Sequence, residues 1–278
     1  MISIFQYSFM QRAFIVGILI SVITPCIGVI VVLKRMSMIG DALSHSSLAG
    51  VTAGLAFGIN PIASAVIFSI MSAFGMERIR KSFPRYSEIS IAVITSMGVG
   101  IAGILSGFVK NAASLNSFLF GSIVAITDFE LFMVIGLSFL VIFVFILLYK
   151  ELFYTTFDEE SAKFSGVPVK SINFVFTLLT AITISISSRA VGTLVISSLI
   201  VLPVASAMQI TKSYKQTVIL SIIFAVFSTI SGLYISYYAN FKPGGTIVLI
   251  GIAILIIVIF YKDVLKYIFL KKHTKSNN

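Results

Sequence analysis

The sequence predicts an all-α protein: a polytopic membrane helix bundle with eight or nine transmembrane helices. Three observations predict it. The 278 residues are 58% hydrophobic and only 11% charged, with a mean hydropathy of +1.08; a soluble domain carries about 25% charged residues. Apolar runs recur between short polar breaks, and several approach the roughly 20 residues a helix needs to cross the hydrocarbon. Basic residues concentrate in alternate breaks, as they do in cytoplasmic loops.

Taken in order, the first span is expected at 13–33. The preceding residues hold one basic side chain, Arg12, and the apolar run continues to Leu33. That is unlike a cleaved secretory signal, so the segment is expected to stay. Cys26 lies within it after Pro25; as the single cysteine it excludes an intrachain disulfide and reads as a packing residue. Further spans are expected at 41–58, 61–75, 88–108, 129–149, 171–187, 191–210, 217–238 and 246–264. The 61–75 run is short for a crossing and is tilted, extended or partly inserted. The run Leu115–Ile126, bounded by Asn116, Gly121 and Asp128, is a candidate re-entrant segment. A basic tail, about 265–278, closes a single transmembrane domain covering 1–278.

One side of the membrane receives Lys34 and Arg35; Arg78, Arg80, Lys81 and Arg85; Lys150, Lys163 and Lys170; Lys212 and Lys215; and Lys262, Lys266, Lys271, Lys272 and Lys275. The other receives only Arg12, Lys110, Arg189 and Lys242. This asymmetry places the 150–170 loop and the C-terminus in the cytoplasm. The N-terminus lies outside with nine spans and inside with eight. The net charge of +10 is then a property of cytoplasmic loops, and no nucleic-acid partner is expected. No GxxxxGK[ST] phosphate loop occurs, so any ATP-driven work needs an ATPase on another chain.

Most of the ten acidic residues sit in loops or at span edges. Asp41 is different, in Ser37-Met38-Ile39-Gly40-Asp41-Ala42-Leu43-Ser44-His45 at the start of an apolar run. Asp41 and His45 are four apart and share one helix face. A carboxylate and an imidazole suit zinc, manganese and other first-row divalent ions, and ionisable groups inside a span usually face a pathway. The same pattern also fits a helix start with Asp41 as cap and His45 as a packing histidine. Two ligands leave a site open, so other spans, water or a second subunit must complete it. Glu88 is a further candidate metal ligand at the cytoplasmic end of the 88–108 span, although its place better fits an interfacial carboxylate complementing a helix N-terminus. Gly50, Gly54 and Gly58 recur every four residues, a smooth stripe for close helix contact.

The longest polar interruption is 150–168. Asp158, Glu159 and Glu160 begin a short helical pattern there, and Gly166 and Pro168 stop it. It reads either as a docking knob for a partner or as a solvated connector. An intramembrane metalloenzyme is disfavoured: there is no HExxH, and His45 is the one histidine outside the tail. A channel or ion-coupled transporter without an ATPase is a second alternative, and a purely structural membrane subunit a third.

These residues resemble the ABC-3 family of metal-ion ABC transporter permeases, the bacterial zinc and manganese importers. The resemblance runs from about Phe9 to Leu249. Its most specific part is Val32-Leu33-Lys34-Arg35-Met36-Ser37-Met38-Ile39-Gly40-Asp41-Ala42-Leu43-Ser44-His45. Phe157-Asp158-Glu159-Glu160-Ser161-Ala162 with Gly166-Val167-Pro168 resembles the family's ATPase-docking loop. Val191-Gly192-Thr193-Leu194-Val195, Leu202-Pro203-Val204-Ala205-Ser206-Ala207 and Pro243-Gly244-Gly245-Thr246-Ile247-Val248-Leu249 continue it. The resemblance implies a transport subunit, not an enzyme, in a bacterial cell membrane. It implies a homodimer with two cytoplasmic ATPase subunits, served by an extracellular metal-binding protein. It implies that Asp41 and His45 line the path, and that Phe157, Asp158, Glu159, Glu160, Ala162, Gly166 and Pro168 couple to the ATPase. The cargo is expected to be zinc first and manganese next, with no permanently bound cofactor. Many relatives have Glu-Asp where this chain has Glu88-Ile89.

Overall fold

The computed structural model describes the backbone of residues 6–83, 86–110, 112–122, 126–193 and 195–276. Twelve helices follow one another: α1 (Ser8–Leu33), α2 (Ile39–Phe57), α3 (Pro61–Ser82), α4 (Ser87–Ser106), α5 (Ala112–Phe120), α6 (Asp128–Leu147), α7 (Tyr149–Phe157), α8 (Glu159–Phe164), α9 (Val169–Val191), α10 (Ile196–Met208), α11 (Tyr214–Ala239) and α12 (Pro243–Ser276). No strand occurs among the described residues.

Side-chain distribution shows which solvent this bundle is built for. Large apolar groups point outward, among them Ile104, Phe132, Phe143, Ile146, Leu249 and Phe260. Hydroxyls are buried among the aliphatic groups of the interior: Ser46, Ser72, Thr180, Ser185 and Ser188 are fully or almost fully buried. Some bond within their own helix, as when Thr180 Oγ1 donates to the Phe176 carbonyl one turn back at 2.8 Å, and Ser46 and Ser72 bond each other between α2 and α3. An apolar exterior over an interior that carries hydroxyls suits lipid. The chain is a multi-pass membrane protein.

Seven described helices are long and apolar enough to cross a membrane: α1, α3, α4, α6, α9, α11 and the first part of α12. The expected eight or nine also counts α2 and α10. Helix α2 is long enough at 19 residues, but Asp41, His45 and four hydroxyl residues lower its hydropathy. Helix α10 has 13 residues. The expected 191–210 span is thus largely a shorter helix: α9 continues to Val191, and Gly192, at φ 95°, ends it. A Cβ there would also meet the α5 backbone at 2.5 Å. The 61–75 run is extended. Asn60 Oδ1 accepts from the Ile62 and Ala63 N–H groups at 3.0 and 3.1 Å, Pro61 occupies the first turn, and Arg80 and Lys81 sit in the last. Both ends are therefore chemically satisfied. Part of the candidate re-entrant run, 123–125, lies outside the described residues; its first part belongs to α5.

Helix α1 is the central post, packed against α6, α9, α10 and α11. Helices α2, α3 and α4 form a second group, joined to the first through α9 and α10.

Candidate functional site

Helix α2 begins at Ile39, with Met38 as a cap that makes no side-chain hydrogen bond. Asp41 is the third helical residue, so the cap alternative for it does not hold. Asp41, His45 and Leu48 are half-buried, while Ala42, Leu43, Ser44, Ser46, Ser47 and Ala49 are buried. The two candidate ligands therefore share the less covered face of a helix otherwise enclosed by protein. Neither side chain forms a hydrogen bond or ion pair with another described residue.

The closeness of neighbouring backbones explains how α2 is held. A Cβ on Gly50 would lie 2.6 Å from Ala65 Cα, and one on Gly54 2.7 Å from Pro61 Cα, so α3 lies directly on this stripe. Gly58 plays another part: it ends the helix at φ 71°, and a Cβ there would meet open space. On the other flank, a Cβ on Gly98 would lie 2.8 Å from the His45 carbonyl carbon and the Ser46 nitrogen. Helix α4 thereby fixes the backbone that carries the histidine.

Glu88 is not at the level of His45. It is exposed in the first turn of α4, ten residues before Gly98, which is about 15 Å of helix. Asp41 is only about 6 Å along α2 from His45. Glu88 lines a cavity of about 80 Å³ with Arg35, Ile39, Met76, Glu77 and Arg80, at the start of α2 and below the level of His45. Among the described residues no group of three His, Cys, Asp or Glu side chains is placed to hold a metal ion.

The expected docking segment is two short helices, α7 and α8, followed by a turn. Asp158 caps α8, accepting from the Glu160 and Ser161 N–H groups, both at 3.0 Å. The Ser161 hydroxyl, then these N–H groups, hold the Asp158 carboxyl below its ordinary value of 3.8. Burial works against the Glu159 charge, but hydrogen bonds from Lys34 and Asn173 and the charges of Lys34 and Arg80 outweigh it, leaving that carboxyl lowered. Ala162 is buried and anchors α8 inward. Gly166 turns the chain at φ 83°, and Pro168 caps α9. Phe157 is exposed at the end of α7, and Phe164 at the end of α8 is 90% exposed. Phe164 was not among the expected docking residues, although a phenylalanine in so polar a stretch is itself a signal.

The ABC 3 transport family model matches residues 6–262. The probable metal transport system membrane protein of Treponema pallidum is 36% identical over 256 residues, covering 91% of this chain and 96% of its own. The manganese transport system membrane protein MntC of Listeria monocytogenes is 31% identical, covering 96% and 95%. The high-affinity zinc uptake system membrane protein ZnuB of Haemophilus influenzae is 29% identical, covering 93% and 99%. Among solved structures, PsaBC from Streptococcus pneumoniae in complex with Fab superposes with a TM-score of 0.85 at 29% identity, covering 95% of this chain and 96% of that one.

Proposed function

The chain belongs to the ABC 3 transport family, and on that premise we propose that it is the membrane-spanning permease subunit of an ATP-driven importer of divalent transition metal ions. Zinc is the first cargo to test and manganese the second. One observation carries the reading: Asp41 and His45 lie one turn apart on the less covered face of α2, with no described side-chain partner. The names carried by relatives, for manganese and for zinc, support the cargo class.

In this reading α2 and α10 join the seven long helices within the bilayer, giving nine membrane-embedded segments, and the chain works as a homodimer in a bacterial cell membrane. A metal-binding protein delivers the ion to the outer face. Asp41 and His45 replace part of its hydration shell, and a second subunit, water or another conformation completes the ligand set. A two-ligand site suits transport, which needs binding firm enough to admit an ion and weak enough to release it. ATP binds and is hydrolysed on separate cytoplasmic subunits, which dock on Phe157–Pro168 and alternate access to the pair.

The test is uptake of zinc and manganese, offered separately, by vesicles carrying the permease with its ATPase and binding protein. ATP-dependent accumulation of either ion is the expected result. Accumulation that needs no ATPase would favour the ion-coupled alternative, and none of either ion would sink the metal assignment.

A further inference from the structure

The α1–α2 turn is where the two functional regions come within reach of each other. Lys34 ends α1 and is seven residues before Asp41. Its Nζ donates to Glu159 Oε1 at 3.0 Å and to Asn173 Oδ1 at 2.8 Å. Asn173 Nδ2 closes the triangle on Glu159 Oε1, also at 3.0 Å. Three helices thus meet in one polar knot: α1 through Lys34, α8 through Glu159 and α9 through Asn173. Lys34 is only 12% exposed, with the Phe176 ring 5.9 Å away. An exposed ion pair of long side chains is weak and mobile. This one is shielded on the lysine side, and the amide ties both partners to a third helix.

The segment beyond Lys34 is bonded to the end of α1 and to the start of α2. Arg35 takes the left-handed conformation at φ 57°. The Arg35 N–H reaches the Val32 carbonyl at 3.0 Å, Met36 N–H reaches Val31 at 2.8 Å, and Ile39 N–H reaches Met36 at 2.8 Å. Arg80 Nη1 also approaches Met36 Sδ at 3.7 Å. Bonds at Arg35 and Met36 tie the turn back to α1, and the bond at Ile39 ties it forward to α2, so a displacement of Lys34 has a bonded route to α2.

We propose that Lys34 is a positioning residue, a strut by which movement of the α8 docking helix is transmitted through the α1–α2 turn to the helix carrying Asp41 and His45. This rests on the transport reading above and adds to it the mechanical link between docking and the ion path. Coupling between separated sites is carried by contiguous bonded elements of this kind. The strut needs a cation that can hold two acceptors at once, a demand met by Lys34→Arg and not by Lys34→Gln.

The test is metal taken up per ATP hydrolysed by the complete transporter in proteoliposomes. Lys34→Gln is expected to lower that ratio about tenfold while ATP hydrolysis continues. Lys34→Arg is expected to keep the ratio, and the exchange Lys34→Glu with Glu159→Lys to recover much of it. An unchanged ratio in Lys34→Gln, or a loss that neither Lys34→Arg nor the exchange relieves, overturns the strut. A second readout is independent of cargo. In the purified permease, Glu159→Gln is expected to raise hydrogen exchange several-fold at the amides of Arg35, Met36 and Ile39; unaltered exchange overturns the strut as well. If the wild type takes up no metal, the import reading falls and the exchange result still decides the strut.

Discussion

Helix α2 and the α7–α8 segment are both polar stretches in an apolar chain, yet they are built in opposite ways. Helix α2 buries its hydroxyls, packs Gly50 and Gly54 on α3, meets Gly98 of α4, and leaves Asp41 and His45 on its less covered face. The α8 segment hides one small residue, Ala162, and exposes nearly everything else, including Phe164. In α2 a backbone is clamped so that two side chains can be presented. In α8 a short capped helix is presented whole, as a surface. Backbone clamping should make α2 intolerant of added atoms, whereas α8 should tolerate loss of its exposed groups and respond in partner binding.

The largest expected effect sharpens the α2 side. Gly98→Val would drive a branched side chain into the His45 backbone and should destabilise the permease by about 3 kcal/mol, the upper part of the overpacking range. Gly100, on the same helix, has nothing within 4 Å of its added Cβ, and Gly100→Val should leave thermal unfolding in detergent nearly unchanged. Equal unfolding temperatures for the two variants would break the clamp account.

Ala162→Leu comes next. It should lift α8 from its seat at a cost of about 1–3 kcal/mol, read as lost protection of α8 amides. Phe164→Ala should leave that protection intact and weaken ATPase association about tenfold or more, as removal of an exposed aromatic anchor does. If Phe164→Ala leaves association unchanged, the exposed ring is not part of the docking surface.

The smallest effect is electrostatic. The folded Asp158 carboxyl titrates below its unfolded value of 3.8, chiefly through its bonds to Ser161. Its support of α8 is therefore complete above that value and is lost as pH falls through the lower, folded one. Wild-type α8 amides should lose protection in that acid window, and Asp158→Asn should flatten the dependence. A pH-independent wild type would contradict the cap's contribution.

Much of this organisation is legible in the sequence, for identifiable reasons. The long spans follow from hydropathy because lipid demands continuous apolar runs. The shared face of Asp41 and His45 follows from helical period alone. Helix α3 outran its apolar run because Arg80 and Lys81 are good helix formers placed favourably at a C-terminal end; hydropathy stops there and the helix does not. The 191–210 run misled for the opposite reason: its apolar residues continue across Gly192, where the backbone turns. The repeat of Gly50, Gly54 and Gly58 looked uniform, yet the third glycine serves the turn. Glu88 stood out as an acid at a span edge, and only the register of α4 against α2 shows that it lies below the level of His45. Lys34 carried no local mark. Its partners lie 125 and 139 residues away, and in sequence it is one more basic residue beside a membrane.

The central claim, that Asp41 and His45 form part of the ion's path, is tested most directly by metal uptake in His45→Ala beside the wild type at equal membrane levels. Uptake abolished in a variant that still assembles with its ATPase is the predicted result. Undiminished uptake would contradict it and return His45 to a packing role.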